Sequence, residues 1–166
     1  YSQLRLKGKT KGGVLDDLYN NGINYVEIRT LDLNPLTKVG ITPESLELIH
    51  LLLVYALVAQ DFWMSDDEYR LANENQILAA DSSRNQEIML HISPTEERSL
   101  RDWGCEFLAQ VHDTLSGLGI AAEQLQVLND YQSTLRNQLA SSAETIATQV
   151  VDNGYSHYFM QQANDY

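Results

Sequence analysis

The stretch from residue 22 to residue 35, GINYVEIRTLDLNP, constrains the fold of this chain more than any other. Its apolar residues Val26 and Ile28 alternate with polar ones, a period of two that is typical of a β-strand. The opposite face carries the carboxylate of Glu27 beside the guanidinium of Arg29. The asparagine and proline at the end of the stretch predict a turn. A strand face that pairs a metal-binding group with a phosphate-binding group indicates ATP-dependent ligase chemistry.

A second strand is predicted at the start of the chain, where residues 1–7 show the same alternation. Between the strands we expect a Lys/Gly-rich loop over residues 8–13 and a short helical turn around Val14–Tyr19, which Gly22 helps to end. The loop lacks P-loop spacing, so we interpret it as a linker. If the two strands pair in one sheet, their polar faces bring together Tyr1, Arg5, Lys7, Glu27 and Arg29.

The remainder of the chain, from residue 42 onward, has the pattern of successive helices. Thr42 followed by a proline predicts a helix start, and three capping boxes predict others, at 65–68, 93–96 and 141–144. The first of these helices is apolar nearly all round, so we expect its His50 to be a core residue. The predicted fold class is α+β: two antiparallel N-terminal strands followed by a mostly helical region.

Charge and composition exclude several classes of function. The net charge is −12, and the six basic and four acidic residues among residues 1–38 leave −14 for residues 39–166. Such an acidic body is a poor ligand for nucleic acid or an anionic membrane, whereas the basic zone suits a small anion. The longest apolar run, 48–59, is too short to span a membrane. One cysteine and no signal peptide favour a cytoplasmic protein.

The segments 22–35 and 1–7 together resemble the glutamate–cysteine ligase of bacterial type. The likeness is clearest over about the first 60 residues, and the helical remainder is similar, more loosely, to the ligase domain of bifunctional glutathione-making enzymes. It implies a glutamine-synthetase-like sheet, with residues 1–166 forming the C-terminal part of the catalytic domain. Residues 1–35 would then supply active-site strands and residues 42–166 the helical region. We expect the chain, which begins without methionine, to be part of a longer polypeptide.

The resemblance also implies a reaction and roles for individual residues. Members of this family use ATP and Mg²⁺, or Mn²⁺, to join the γ-carboxyl of glutamate to the amine of cysteine through a γ-glutamyl phosphate. Glu27 would bind the metal, and Arg29 would hold the transferring phosphate as a catalytic and substrate-binding residue. Tyr1 would contact the cysteine substrate. Arg5 and Lys7 would contact the nucleotide. Most metal ligands belong to an N-terminal part that this sequence lacks, so we expect residues 1–166 alone to be inactive.

Other interpretations of the same residues stay open at this point. Glu27 and Arg29 could be a surface ion pair on a solvated strand. The chain could belong to a related carboxylate–amine ligase with another amine acceptor, or be a helical interaction module without catalysis. Cys105 lies on an apolar helix stripe, which favours packing over reactivity, and the four histidines lack the spacing of a metal site. The sequence leaves open whether a glutathione synthetase domain follows residue 166.

Overall fold

A computed structural model describes residues 3–9, 14–81, 88–137, 139 and 142–165 of the chain. It divides into two compact units, Tyr1–Asn34 and Pro35–Tyr166. Tyr1, most of the Lys/Gly-rich loop and Ser141 of the third predicted capping box lie outside the described residues.

The first unit is a two-stranded antiparallel sheet with one helix in the connection. Its elements are β1 (Leu4–Lys7), α1 (Val14–Asn21) and β2 (Tyr25–Ile28). The predicted strands and their pairing are confirmed, although both strands are shorter than the alternation indicated. The predicted helix end is confirmed too, because Gly22 adopts a left-handed φ of 72°, and its N–H donates to the Leu18 carbonyl at 3.0 Å.

The second unit is mainly helical and contains the buried core of the chain. Its helices are α2 (Pro43–Val58), α3 (Asp66–Asp81), α4 (Leu100–Gly117), α5 (Ala122–Arg136), α6 (Ser142–Asn153) and α7 (Tyr155–Asp165). Helices α2, α4 and α5 pack together, and the side chains that they bury most completely are Leu51, Val111, Leu115, Leu125 and Leu128. Burial of this apolar area is the main favourable term in the folding of the unit.

Two of the predicted helix starts are confirmed in atomic detail. The Thr42 hydroxyl accepts a hydrogen bond from the Ser45 N–H at 3.1 Å. Ser65 and Glu68 form a reciprocal capping box: the Ser65 N–H donates to the Glu68 carboxylate at 2.8 Å, and the Glu68 N–H donates to the Ser65 hydroxyl at 3.3 Å. Both capping contacts join residues three positions apart, so a local sequence pattern was enough to predict them.

The helix start predicted at Ser93–Glu96 is wrong, because this segment forms a β-hairpin. Strands β3 (Met89–Ser93) and β4 (Glu96–Ser99) pair antiparallel, with Ser93 opposite Glu96. An extended backbone cannot close a capping box, and the Ser93 hydroxyl instead accepts from the Thr95 N–H at 3.3 Å within the turn. Helix α4 begins six residues later, where the Ser99 hydroxyl accepts from the Asp102 N–H at 3.0 Å.

The prediction that His50 is a core residue is also wrong. Leu51 is the buried residue of α2, and His50 lies one position, or about 100°, around the helix from it. The imidazole is 57% exposed and its Nδ1 lies 3.6 Å from the Glu47 carboxylate. None of the helices that the structure describes is long and apolar enough to cross a membrane.

Candidate functional site

The candidate site is the polar face of the β1–β2 sheet. In the antiparallel register Arg5 lies opposite Glu27 and Lys7 lies opposite Tyr25. Side chains that are two residues apart on a strand share a face, so these four residues project to the same side. The opposite side carries the apolar pairs Leu4–Ile28 and Leu6–Val26. The alternation in the sequence therefore predicted correctly that Arg5, Lys7 and Glu27 meet on one face.

Glu27 lies at the centre of this face and contacts two cations. Its Oε2 atom lies 3.0 Å from Lys7 Nζ, and its Oε1 atom lies 3.5 Å from Arg29 Nε. The hydrogen bond from Lys7, with the positive charges of Lys7, Arg29 and Arg5, lowers the pKa of the Glu27 carboxyl below its usual value. Glu27 is therefore firmly ionised at neutral pH. The sequence predicted that Lys7 shares a face with Glu27, but the ion pair between them depends on the strand register, which the sequence pattern does not specify.

Backbone hydrogen bonds hold both ends of the sheet beyond the strands themselves. At one end the Asn24 N–H donates to the Lys7 carbonyl at 2.7 Å. At the other end the Arg29 N–H donates to the Gln3 carbonyl at 2.9 Å. These hydrogen bonds fix the backbones of Lys7 and Arg29. The side chains of both residues are about one-third exposed to solvent. The structure supports a defined arrangement of these cations around one carboxylate.

The charge balance of this face suits an anion. Arg5, Lys7 and Arg29 carry three positive charges and Glu27 carries one negative charge, which leaves an excess of two. Guanidinium groups bind carboxylates and phosphates with paired hydrogen bonds, and an ammonium group acts as a point charge. A phosphate group brought to this face would meet oriented donors.

The fit to Mg²⁺ is partial. Glu27 supplies an ionised oxygen ligand of the kind that Mg²⁺ prefers. The described residues contain no group of three or more His, Cys, Asp or Glu side chains placed to hold a metal. Both Glu27 oxygens also face cations at 3.0 and 3.5 Å. Among the described residues, this face therefore offers a single carboxylate to a metal ion, and that carboxylate is already ion-paired.

Cys105 in the helical unit makes contacts of a packing residue. Its Sγ lies 3.7 Å from the Gln132 carbonyl, and Gln132 Nε2 donates to the Cys105 carbonyl at 2.8 Å. The thiol also borders an open cleft of about 260 Å³, lined by Arg101, Asp102, Glu106 and Arg136. Charges in this cleft are largely matched, since Arg101 Nε lies 3.5 Å from Asp102 and Glu106 pairs with Arg98.

Comparison with known proteins identifies what the chain is similar to. Residues 1–78 match the family described as glutamate-cysteine ligase. The whole chain is 29% identical to 21% of a bifunctional glutathione biosynthesis protein from Listeria welshimeri. Two thirds of it (67%) is 32% identical to 24% of a glutamate–cysteine ligase from Clostridium acetobutylicum. The resemblance drawn from the sequence is confirmed, and the chain spans about a fifth of the length of the bifunctional relatives.

Solved structures show the same fold. A glutamate–cysteine ligase from Francisella tularensis, solved in complex with AMP, superposes with a TM-score of 0.88 at 23% identity. The match covers 99% of this chain and 33% of that one. A bifunctional glutathione synthetase from Pasteurella multocida matches all of this chain with 21% of its own, at a TM-score of 0.75 and 21% identity. The predicted α+β fold class is confirmed.

Proposed function

We propose that this chain, which resembles part of glutamate–cysteine ligase, supplies one wall of the active site of such an enzyme. The reaction would be the ATP-dependent joining of the glutamate γ-carboxyl to the cysteine amine, the first step of glutathione biosynthesis, in the cytoplasm. The observation that carries the proposal is the ionised Glu27 held between Lys7 and Arg29 on a sheet face with excess positive charge. The family match over residues 1–78, which include this face, supports it.

The chemistry explains why such a face is needed. A carboxylate is a poor acyl donor, so ATP first phosphorylates the glutamate γ-carboxyl to an acyl phosphate, and ADP leaves. The cysteine amine then attacks the acyl carbon and phosphate departs. Negative charge accumulates on the transferring phosphoryl oxygens, and oriented cations stabilise it most effectively where water is excluded.

Each cation of the face has a distinct position for this task. In the proposal Arg29 grips the transferring phosphoryl group, because its guanidinium already lies beside Glu27 at the end of β2. Arg5 and Lys7, on the neighbouring strand, contact the nucleotide phosphates. Glu27 orients these groups through its ion pair with Lys7 and its contact with Arg29. Fixed donors reduce the reorganisation needed when charge develops.

A divalent cation would be held by Glu27 together with carboxylates from outside this chain. When bound, Mg²⁺ or Mn²⁺ neutralises phosphate charge and helps to align the reactants. The ionised state of Glu27 at neutral pH suits this role. Tyr1, proposed to contact the cysteine substrate, lies outside the described residues.

The proposal includes a longer polypeptide. One carboxylate does not make a metal site, so residues 1–166 alone would not synthesise γ-glutamylcysteine. The N-terminal remainder of a ligase domain would supply the other metal ligands and much of the glutamate site. The match to bifunctional relatives is compatible with a glutathione synthetase domain in the same polypeptide.

The test is ADP release by the full-length polypeptide with ATP, Mg²⁺ and glutamate, with and without cysteine. We expect ADP to form rapidly only when cysteine is present, with γ-glutamylcysteine as the product. Turnover with a different amine but not with cysteine would favour a related carboxylate–amine ligase. Absence of ATP turnover with every amine tested would contradict the enzyme proposal and favour the helical interaction module.

A further inference from the structure

Gly8 and Asp17 make an unusually close contact at the end of strand β1. Gly8 directly follows Lys7, and Asp17 lies on helix α1, where it is only 6% exposed. The Asp17 carboxylate occupies the space in which a side chain at position 8 would lie. A methyl group added to Gly8 would overlap the carboxylate oxygen Oδ2 and lie 2.5 Å from Cγ.

The backbone alone does not require glycine at this position. Among the described residues, the glycines with a left-handed φ are Gly22, Gly40, Gly119 and Gly154. Gly8 is not one of them, so its conformation is open to alanine. The requirement for glycine at position 8 therefore comes from the Asp17 side chain.

Asp17 is itself held in place by its own helix. Asn21, one turn later on α1, donates from Nδ2 to Asp17 Oδ1 at 2.8 Å. A buried carboxylate is costly unless it is hydrogen-bonded, so this contact keeps the side chain in one position. On the other side of the corner, the Lys7 carbonyl accepts from the Asn24 N–H at 2.7 Å. The backbone at Lys7 and Gly8 is thus held on one side by Asp17 of α1 and on the other by the hydrogen bond from Asn24.

We propose that Asp17 is a positioning residue for Lys7. Asp17 would act by packing on Gly8 and so fixing the backbone at the end of β1. The Lys7 side chain then projects in the direction that places its ammonium group 3.0 Å from Glu27. Asn21 supports Asp17, and neither residue need touch substrate. This inference rests on the proposed function, since it gives Lys7 a task in nucleotide binding.

The test compares four variants of the full-length polypeptide: Gly8→Ala, Asp17→Ala, Gly8→Ala with Asp17→Ala, and Gly8→Ala with Asp17→Asn. We expect Gly8→Ala to raise the KM for ATP by on the order of tenfold to a hundredfold, because small misplacements of binding groups are costly. Without the Asp17 carboxylate there is space for a methyl group at position 8. The variant with both alanines should therefore have the same KM for ATP as Asp17→Ala alone. Asparagine has nearly the volume of aspartate, so Gly8→Ala stays harmful beside Asp17→Asn.

A matched control and a second readout separate positioning from folding. Gly117, which has no atom near the site of an added methyl group, gives the control Gly117→Ala, for which we expect an unchanged KM. Thermal unfolding of each variant should show the same non-additivity between positions 8 and 17. If Gly8→Ala changes the KM for ATP and Tm equally in the presence and absence of the Asp17 carboxylate, the proposed contact between Gly8 and Asp17 is wrong. A change in Tm with no change in the KM for ATP would overturn the positioning role.

The variant Lys7→Met distinguishes this inference from the proposed function. If Lys7→Met leaves the KM for ATP unchanged, the nucleotide-binding role of Lys7 is wrong, and with it the positioning role of Asp17. If Lys7→Met raises the KM but Gly8→Ala does not, the role of Lys7 stands and only the positioning inference falls.

Discussion

The ammonium group of Lys7 lies 3.0 Å from the Glu27 carboxylate, although the two residues are diagonal neighbours across the strands rather than direct partners. Arg5 is the residue opposite Glu27 in the register. A lysine side chain is long enough to span the diagonal distance between two strands, and a short side chain is not. This ion pair joins the two strands on the face that we propose for ATP chemistry.

The first prediction concerns the ionisation of Glu27. Its pKa should lie below the ordinary value of 4.5, because Lys7 donates a hydrogen bond to the carboxylate and nearby cations favour its charged form. Replacing Lys7 with methionine should raise that pKa, as measured by carboxyl NMR during an acid titration. Lys9→Met, two residues further on, is the control. A wild-type midpoint at or above 4.5 would contradict the ion pair.

The sign of the accompanying stability change follows from linkage. A carboxyl whose pKa is lower in the folded state than in the unfolded state stabilises the fold when it is ionised. The stabilisation by Glu27 should therefore be complete above about pH 4.5 and disappear as the pH falls through the lowered pKa. Glu27→Gln should abolish this part of the pH dependence. Because the pair is accessible to solvent, added salt should weaken it.

The second prediction concerns Asn75, which is 9% exposed and joins α3 to the hairpin. Its Nδ2 donates to the His91 carbonyl at 2.6 Å, and its Oδ1 accepts from the His91 N–H at 2.8 Å. Asn75→Ala would leave both backbone groups without these partners and should lower the free energy of unfolding by about 1–3 kcal/mol for each group left unsatisfied. Asn73→Ala, on an exposed part of the same helix, is the control. Equal losses in denaturant titrations would show that the Asn75 contacts contribute nothing specific.

The extent to which the fold could be predicted depends on the range of each signal. The starts of α2 and α3 follow from Thr42 and Ser65, whose partners lie three residues away. The hairpin of β3 and β4 is bound to α3 by Asn75, sixteen residues from His91, whereas the local pattern at Ser93 matched a capping box and predicted a helix. Contacts of that range leave no periodic trace in a single sequence.

The candidate site shows the same division. Alternation over residues 1–7 and 23–31, with the assumption that the two strands pair, predicted that Arg5 and Lys7 share a face with Glu27. The choice of Lys7 as the closest cation depends on the register of the strands, and the tight fit of Asp17 on Gly8 depends on where α1 packs. Neither the register nor the packing of α1 is encoded in a short motif.

The third prediction concerns the core of the helical unit. Leu115 is completely buried between α2, α4 and α5, so Leu115→Ala should cost about 2–5 kcal/mol through lost burial and the cavity left behind. Leu118, at the end of α4, is 57% exposed, and Leu118→Ala should change the stability by about 0.5 kcal/mol or less. Denaturant unfolding followed by circular dichroism measures both. Similar losses for the two variants would place the core elsewhere.

The fourth prediction, on catalysis, provides the most direct test of the account. In the full-length polypeptide, cysteine-dependent ADP release should fall by about 100- to 1,000-fold in both variants. Glu27→Gln removes the carboxylate proposed to hold the metal ion, and Arg29→Met removes the guanidinium proposed to grip the transferring phosphoryl group. The matched controls are Arg70→Met and Glu74→Gln, which break an exposed ion pair of 2.8 Å on α3 and should leave turnover unchanged. Turnover that survives both changes at Glu27 and Arg29 would contradict the assignment and make the β1–β2 face structural.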